Sequence, residues 1–338
     1  MGKIGVAGTN AAHTHQNEAL KTPPAQPMDF KQLQTFLAIA ECGSASKAAQ
    51  LLHIVQPAIS RQMRLLEEDL GAPLFVRERN GMELTEAGRT LLERARRVMK
   101  ELEEARAEVK PSNGLASGFV NVGMPSSICD LLAGELVATI KRLHPQIQMR
   151  LHSGYGGPLQ LSIQNSELDV AIVNDPKPGE LLETRFILNE QLFLVGPPHS
   201  GLSPDSPQPL SSLRGRPMVL PRAPHSMRTT VEHACALENV ELDIVAEVNA
   251  MDMQNSLVRY GVGWTVLPSA GVSNDLSNGS LSAAPLGGLD LQRHLALCMS
   301  ATRRTSPATR CVTSALIDLI QVTVRAGRWP GATLVDEG

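Results

Sequence analysis

Gln56, Ser60, Arg61 and Arg64 recur at spacings that place them on one face of a helix. Their chemistry is that of paired hydrogen bonding. A glutamine amide can bond N6 and N7 of adenine, and an arginine can bond O6 and N7 of guanine or a phosphate. Pro57 falls in the first helical turn, where its missing N–H costs little. Ser46 lies on the preceding polar stretch. Arg77 and Arg79 precede Asn80-Gly81, a pair suited to a tight hairpin turn, and either arginine could reach a phosphate or a minor groove. A different set is small and polar: Ser126, Ser127, Tyr155, Gly156, Pro221, Arg222 and Ser226. These residues follow strand-like runs, where free backbone N–H groups at helix starts suit a carboxylate or another anion.

The elements that must position the first set are short helices. Phe30, Leu33, Phe36, Leu37 and Ala40 line one face of a first helix, which Gly43-Ser44 ends. Ala45 to Leu52 forms a second helix, with Ala48 and Ala49 allowing close packing. A third helix opens at Gln56-Pro57 and turns Ile59, Met63, Leu66 and Leu70 inward. A short helix, a tight turn and a helix with a polar N-terminal face make the helix-turn-helix plan, and Arg77 to Leu84 reads as a hairpin wing. A generic helical bundle leaves the same polar face exposed, and pattern alone balances the two readings.

From Leu84 the apolar residues Gly88, Leu91, Ala95, Val98, Leu102, Ala105 and Val109 keep alternating spacings of four and three. That is a heptad seam, which asks for a partner helix. Leu91, Ala95, Val98, Leu102 and Ala105 are its dimerisation candidates. Arg94, Arg96, Arg97, Lys100, Glu101, Glu103 and Glu104 are expected to face outward. The bland alternative is a surface helix packed on its own domain.

Residues 115 to 326 alternate strand-like and helix-like runs, which predicts an α/β region with parallel sheets. It reads as two similar halves: subdomain I at about 115–190 and 294–326, and subdomain II at about 191–293. The chain should cross between them near Asn189 to Gln191 and Leu291 to His294. The second set of polar residues then converges on the cleft between the halves. Ser126 and Ser127 could equally be plain helix caps. The whole division is an extension at 1–27, a winged helix-turn-helix at 28–86, a linker helix at 87–110, the α/β region at 115–326 and a tail at 327–338.

Bulk properties narrow the classes. Of 338 residues, 42% are hydrophobic and only 3% aromatic, so the core must be built on aliphatic side chains. The net charge of -3 offers no global basic excess, and any contact with nucleic acid must come from a few positioned residues. The five cysteines are scattered with no CxxC pair, which argues against a disulfide framework and a zinc site and fits a reducing cytosol. No apolar run is long enough to span a membrane. The first twenty residues lack a signal peptide's apolar stretch, and Val6 stands where myristoylation would want Ser or Thr. His13 and His15 read as part of a solvated tail rather than as metal ligands. The motifs GxSxG, GxGxxG and HExxH and a P-loop are absent. Ser44 to Lys47 matches SxxK, but within the helix-turn-helix, where a chance match is the better reading. No cofactor, metal or catalytic residue is expected. The rival reading is a two-lobed solute-binding or enzymatic α/β protein without a DNA function.

The segment SASKAAQLLHIVQPAISRQMRLLEEDLGAPLFVRERNGMELTEAGRTLLERA resembles the DNA-binding segment of the LysR-type transcriptional regulators. The matching positions are Ala48-Ala49, Leu52, Gln56 to Ser60, Leu66-Glu67, Leu70-Gly71, Leu74-Phe75 and Leu84 to Gly88. The order of elements from 115 to 326 agrees with that family's effector domain, so the resemblance spans roughly 28 to 326. Within the family, QPAIS and EQLFLVGP are similar to the nitrogen-assimilation regulators. The resemblance implies a winged helix-turn-helix, a long pairing helix and a periplasmic-binding-protein-like two-subdomain effector region. It further implies promoter duplex DNA, a second copy in a dimer or tetramer, a small-molecule effector and RNA polymerase as partners, with no membrane. The location it implies is the cytoplasm, at the nucleoid.

Overall fold

The computed structural model describes residues 28–78, 81–109, 116–287 and 291–335. The extension at 1–27, with His13 and His15, and Arg79 of the wing lie outside the described residues. The chain forms two compact units, Met1–Leu92 and Glu93–Gly338.

The first unit is helical with a small hairpin. Its helices are α1 (Phe30–Cys42), α2 (Ala45–Leu51) and α3 (Gln56–Leu70), followed by β1 (Phe75–Glu78) and β2 (Gly81–Leu84). Asp29 starts α1 with a capping box: its carboxylate accepts from Gln32 N, and the Gln32 side chain accepts from Asp29 N. Gly43 ends α1 in the left-handed conformation. Leu33, Phe36, Ile39, Ala48, Ala49, Ile59, Met63 and Leu66 form the core, closed by Phe75 at 5.3 Å from Phe36 between ring centroids. Leu70, expected on the inward face, is instead exposed, because Gly71 ends the helix beside it. The hairpin pairs Phe75 with Leu84 antiparallel, and Glu67 Oε1 accepts from Leu74 N at 2.7 Å, which fixes the wing to α3.

The long helix α4 (Glu86–Val109) starts one residue after the wing, with Thr85 Oγ1 accepting from Gly88 N at 2.9 Å. The division between compact units falls inside this helix, between Leu92 and Glu93.

The second unit is α/β. In chain order it runs β3 (Gly118–Pro125), α5 (Ser126–Ile128), a π-turn at Cys129–Ala133, α6 (Gly134–Leu143), β4 (Ile147–Gly154), α7 (Gly156–Gln164) and β5 (Val170–Asn174). Then come β6 (Leu182–Gly196), β7 (Gln208–Pro209), β8 (Pro217–Leu220), α8 (Ser226–Leu237), β9 (Asp243–Glu247), α9 (Met251–Arg259) and β10 (Thr265–Pro268). The unit closes with α10 (Ser273–Asn278), β11 (Ser282–Gly287), β12 (Gln292–Ser300), α11 (Pro307–Arg325) and β13 (Ala332–Leu334). The sheet is mixed rather than purely parallel. β3 lies parallel between β4 and β5, whereas β12 runs antiparallel to both β5 and β6.

β6 is the spine. Its first ten residues pair with β12 and β13, and its last residues pair with β10 and β11. One strand therefore serves both subdomains, and each has its own aliphatic core. Val122, Ile128, Leu136, Ile172 and Leu316 lie in one; Leu194, Met218, Leu220, Val231 and Val266 lie in the other.

Two expectations change here. The tail expected from 327 onward is structured through Val335: Trp329 is buried in the first core, and β13 pairs with β6 from Ala332↔Glu190 to Leu334↔Leu188. An apolar indole and a free strand edge are enough to hold it. The charges of α4 are also not all outward. Arg97 Nη2 donates to Gln164 O at 3.1 Å, Lys100 pairs with Asp169, Arg96 pairs with Glu167, and Glu101 pairs with Arg303.

Candidate functional site

In the first unit the polar face of α3 is open. Gln56, Pro57, Ser60, Arg61 and Arg64 are all exposed, as are Ser46 on α2 and Arg77 on β1. Gln56 Nε2 lies 3.4 Å from Ser60 Oγ, and Arg64 pairs with Glu68 at 2.8 Å, one turn along. Such a pair between exposed groups contributes little and leaves the guanidinium able to exchange partners. The structure therefore brings Gln56, Ser60 and Arg61 together at the start of one amphipathic helix whose other face is core.

In the second unit a cleft opens between the subdomains, with about 560 Å³ of empty space when the open solvent at its mouth is included. Pro125, Ser126, Ser127, Gly154, Tyr155 and Asn174 line it from one side; Pro221, His225, Ser226, Met227, Asn249, Met251 and Gln254 line it from the other. The starts of α7, α8 and α9 stand at this lining, so their free N–H groups are near the space. Among the described residues, no carboxylate lines it.

Ser127 is 2% exposed, and its hydroxyl caps nothing: Pro125 is the residue ahead of α5, with no side-chain cap. Ser127 Oγ instead accepts from Arg293 Nη2 at 2.8 Å. Arg293 lines the cleft and donates through Nε to Glu190 Oε2 at 2.5 Å. Glu190, fully buried, also accepts on Oε1 from Ala270 N at 2.7 Å, Trp329 Nε1 at 3.0 Å and Ser269 Oγ at 3.1 Å. A buried carboxylate is tolerable only when donors surround it in this way.

Tyr155 spans the cleft mouth. Its hydroxyl donates to Asn249 O of the other subdomain, and its ring meets His225 edge-on at 4.7 Å. His225 caps α8, with Nδ1 accepting from Met227 N at 3.2 Å, and burial pushes its pKa down. Ser226 is the first residue of that helix and lines the cleft.

Two expected cleft residues are placed elsewhere. Arg222 is not among the lining residues; its backbone N donates to Asn249 Oδ1, and the side chain is exposed. Gly156 is buried behind Tyr155, where a Cβ would come within 2.8 Å of Asn174 Oδ1. The cation at the cleft is Arg293. The run His294 to Met299 reads as a strand in the sequence, but the placing of Arg293, just ahead of it, follows only from the pairing with β6. Asn174 and Gln254 were also missed; the first ends a recognisable buried strand, while the second is unmarked on a helix.

Three of the thiols are shifted away from the reactive thiolate. Burial pushes those of Cys129 and Cys298 up and that of Cys235 up to about 11, so each stays protonated. Burial, then the nearby charges of Asp252 and Asp275, push up the carboxyl of Asp130 in the π-turn.

On the seam of α4, Ala95 is buried, Leu91 and Leu102 are half-buried, and Val98 and Ala105 are exposed.

Comparison with known proteins assigns both units. Residues 30–89 match the family described as "Bacterial regulatory helix-turn-helix protein, lysR family", and residues 113–321 match "LysR substrate binding domain". The HTH-type transcriptional regulator BbuR of Bordetella bronchiseptica is 32% identical over 92% of this chain and 96% of its own. The nitrogen assimilation regulatory protein nac of Escherichia coli is 27% identical over 89% of this chain and 98% of its own. Among solved structures, a full-length OxyR variant from Pseudomonas aeruginosa superposes with a TM-score of 0.67 at 21% identity, covering 92% of this chain and 99% of that one. Full-length CbnR, solved with its target DNA, superposes at 0.63 and 21% identity, covering 88% of this chain and 100% of that one. These two share the fold. With both family matches covering most of its length, the chain belongs to the LysR family of DNA-binding transcriptional regulators.

Proposed function

We propose that α3 enters the major groove of promoter DNA and reads bases through Gln56, Ser60 and Arg61. Pro57 shapes its first turn, Arg64 and Ser46 support it, and Arg77 and Arg79 hold the backbone. A second copy pairs along Leu91, Ala95, Val98, Leu102 and Ala105, in a dimer or tetramer. Two heads one turn of DNA apart add their contacts, which suits a chain with little net charge. RNA polymerase is the further partner, the cell's cytoplasm and nucleoid the location, and catalysis no part of the work. No helix among the described residues is long and apolar enough to cross a membrane.

The cleft takes a small anionic or polar metabolite. The observation that carries this reading is Arg293: it lines a cleft to which the described residues bring no carboxylate, while Glu190 keeps three other donors. A ligand carboxylate that replaces Ser127 as acceptor from Arg293 gains a charge-assisted bond. The residues around it are Ser126, Ser127, Tyr155, Pro221, His225 and Ser226. Because the ligand meets both subdomains, it favours one relative arrangement of them over another, as any effector must. The test is a screen of small carboxylates and their amides by melting temperature, on the native chain and Arg293→Gln. Carboxylate stabilisation lost in the variant supports the reading, and equal stabilisation by amides overturns it.

A further inference from the structure

We propose that Val55 reads the 5-methyl group of a thymine in the target duplex. This rests on α3 being the base-reading helix. Val55 stands at the N-cap of α3 and makes no side-chain hydrogen bond to the helix's free N–H groups. Ser, Thr, Asp and Asn are favoured at such a position because their oxygen satisfies one of those groups; valine has none to offer. The neighbouring helices follow the rule. Asp29 accepts from Gln32 N ahead of α1, Ser44 from Lys47 N ahead of α2, and Thr85 from Gly88 N ahead of α4. Among α1 to α4 the departure falls only on the helix that presents Gln56 and Arg61, although α7 and α9 of the α/β unit also start without a side-chain cap.

Val55 gives the core nothing in exchange. It is 70% exposed, the most exposed of the apolar residues at this corner, where Leu51 and Ile54 are exposed too. An exposed apolar residue at a position that favours a capping oxygen points to an external contact. Its position says which contact. The N-terminal residues of the recognition helix are the ones that meet base edges. The valine side chain has neither donor nor acceptor, and the thymine methyl is the apolar feature of the major-groove edge. Consecutive Cα atoms lie about 3.8 Å apart and stacked base pairs about 3.4 Å apart, so the thymine falls within about one step of the base read by Gln56.

The experiment selects binding sites for the full-length chain from a random duplex library. The best site is then remade with deoxyuridine at each thymine in turn, which deletes only the methyl. The native chain should lose about fourfold in affinity at one thymine per half-site, the equivalent of one buried methyl group. Val55→Ser should melt at a higher temperature than the native chain and bind thymine and uracil sites equally. Val55→Thr keeps one methyl and gains the cap, so it should retain part of the discrimination. Equal binding by the native chain at every thymine-to-uracil change overturns the proposal, as does full discrimination by Val55→Ser. Gln56→Ala separates the two levels. If it alters the selected sequence while Val55→Ser does not, only the thymine contact falls; if neither does, α3 is not the base-reading helix.

Discussion

Glu190 and Arg293 face one another in register on β6 and β12, at the place where the chain passes between the two subdomains. Glu190 is fully buried and Arg293 is 7% exposed. Removing one partner of such a pair typically costs about 3 to 5 kcal/mol, because the other charge stays buried. Three remaining donors to Glu190 place Arg293→Met at the lower end of that range. Glu190→Leu strands the arginine and should cost more. Combining Glu190→Leu with Arg293→Met should cost less than the sum of the single changes. Chemical denaturation of the four proteins, closed as a double-mutant cycle, measures the coupling; strict additivity would refute it.

Ser127→Ala removes the acceptor that holds Arg293 Nη2. A hydrogen bond to a charged group is worth about 1.5 to 3 kcal/mol, so the variant should melt lower. Affinity for a cleft ligand should also change, because the freed guanidinium turns to the ligand or away from it. Melting curves with and without bound carboxylate read both effects. A loss of stability with unchanged ligand affinity would leave Ser127 as a structural residue.

The ion pair of Lys100 and Asp169 is nearly buried, and Asp169 Oδ2 also accepts from Asn121 N at 2.8 Å on β3, the strand that leads to Ser126. Lys100→Met should leave that carboxylate underpartnered, at a cost of up to about 3 to 5 kcal/mol. Hydrogen exchange should then quicken in residues 93–102 while the core of α1 to α3 keeps its protection. Unchanged exchange along α4 would show that the pair does not hold the helix.

Leu102→Glu places a charge on the half-buried seam of α4. The expected result is dissociation into subunits that keep a folded α/β unit and lose tight DNA binding. Sedimentation of an intact oligomer would remove Leu102 from the pairing surface.

His225 adds a pH dependence of known sign. Its folded pKa is lowered from 6.5, so the unfolded chain takes up the proton more readily. Stability is then full above pH 6.5 and falls as pH drops from there toward the folded value. His225→Asn keeps an N-cap acceptor while removing the titration, so its melting temperature should fall less between pH 7.5 and about 5. Parallel slopes for the native chain and the variant would exclude His225 as a source of the acid sensitivity.

Much of this was legible in the chain itself, where the physics is local. Helical spacing, Gly43 and Gly71 at the ends of helices, and Pro57 in a first turn define the helix-turn-helix from residues a few positions apart. Strand alternation and turn composition marked most of β3 to β12, and they placed the crossing segments Asn189 to Gln191 and Leu291 to His294 that the structure pairs. Tertiary structure decided what depends on distant partners. Arg293 and Glu190 are 103 residues apart, and Trp329 and Glu190 are 139 apart. Only the sheet register turns those side chains toward one another, gives the cleft Arg293 in place of Arg222, and draws the C-terminal segment onto β6. A strand's side chains alternate with a period of two, so one residue of register decides which of them enter the core. Periodicity is written in the sequence, but register is fixed by the partner strand.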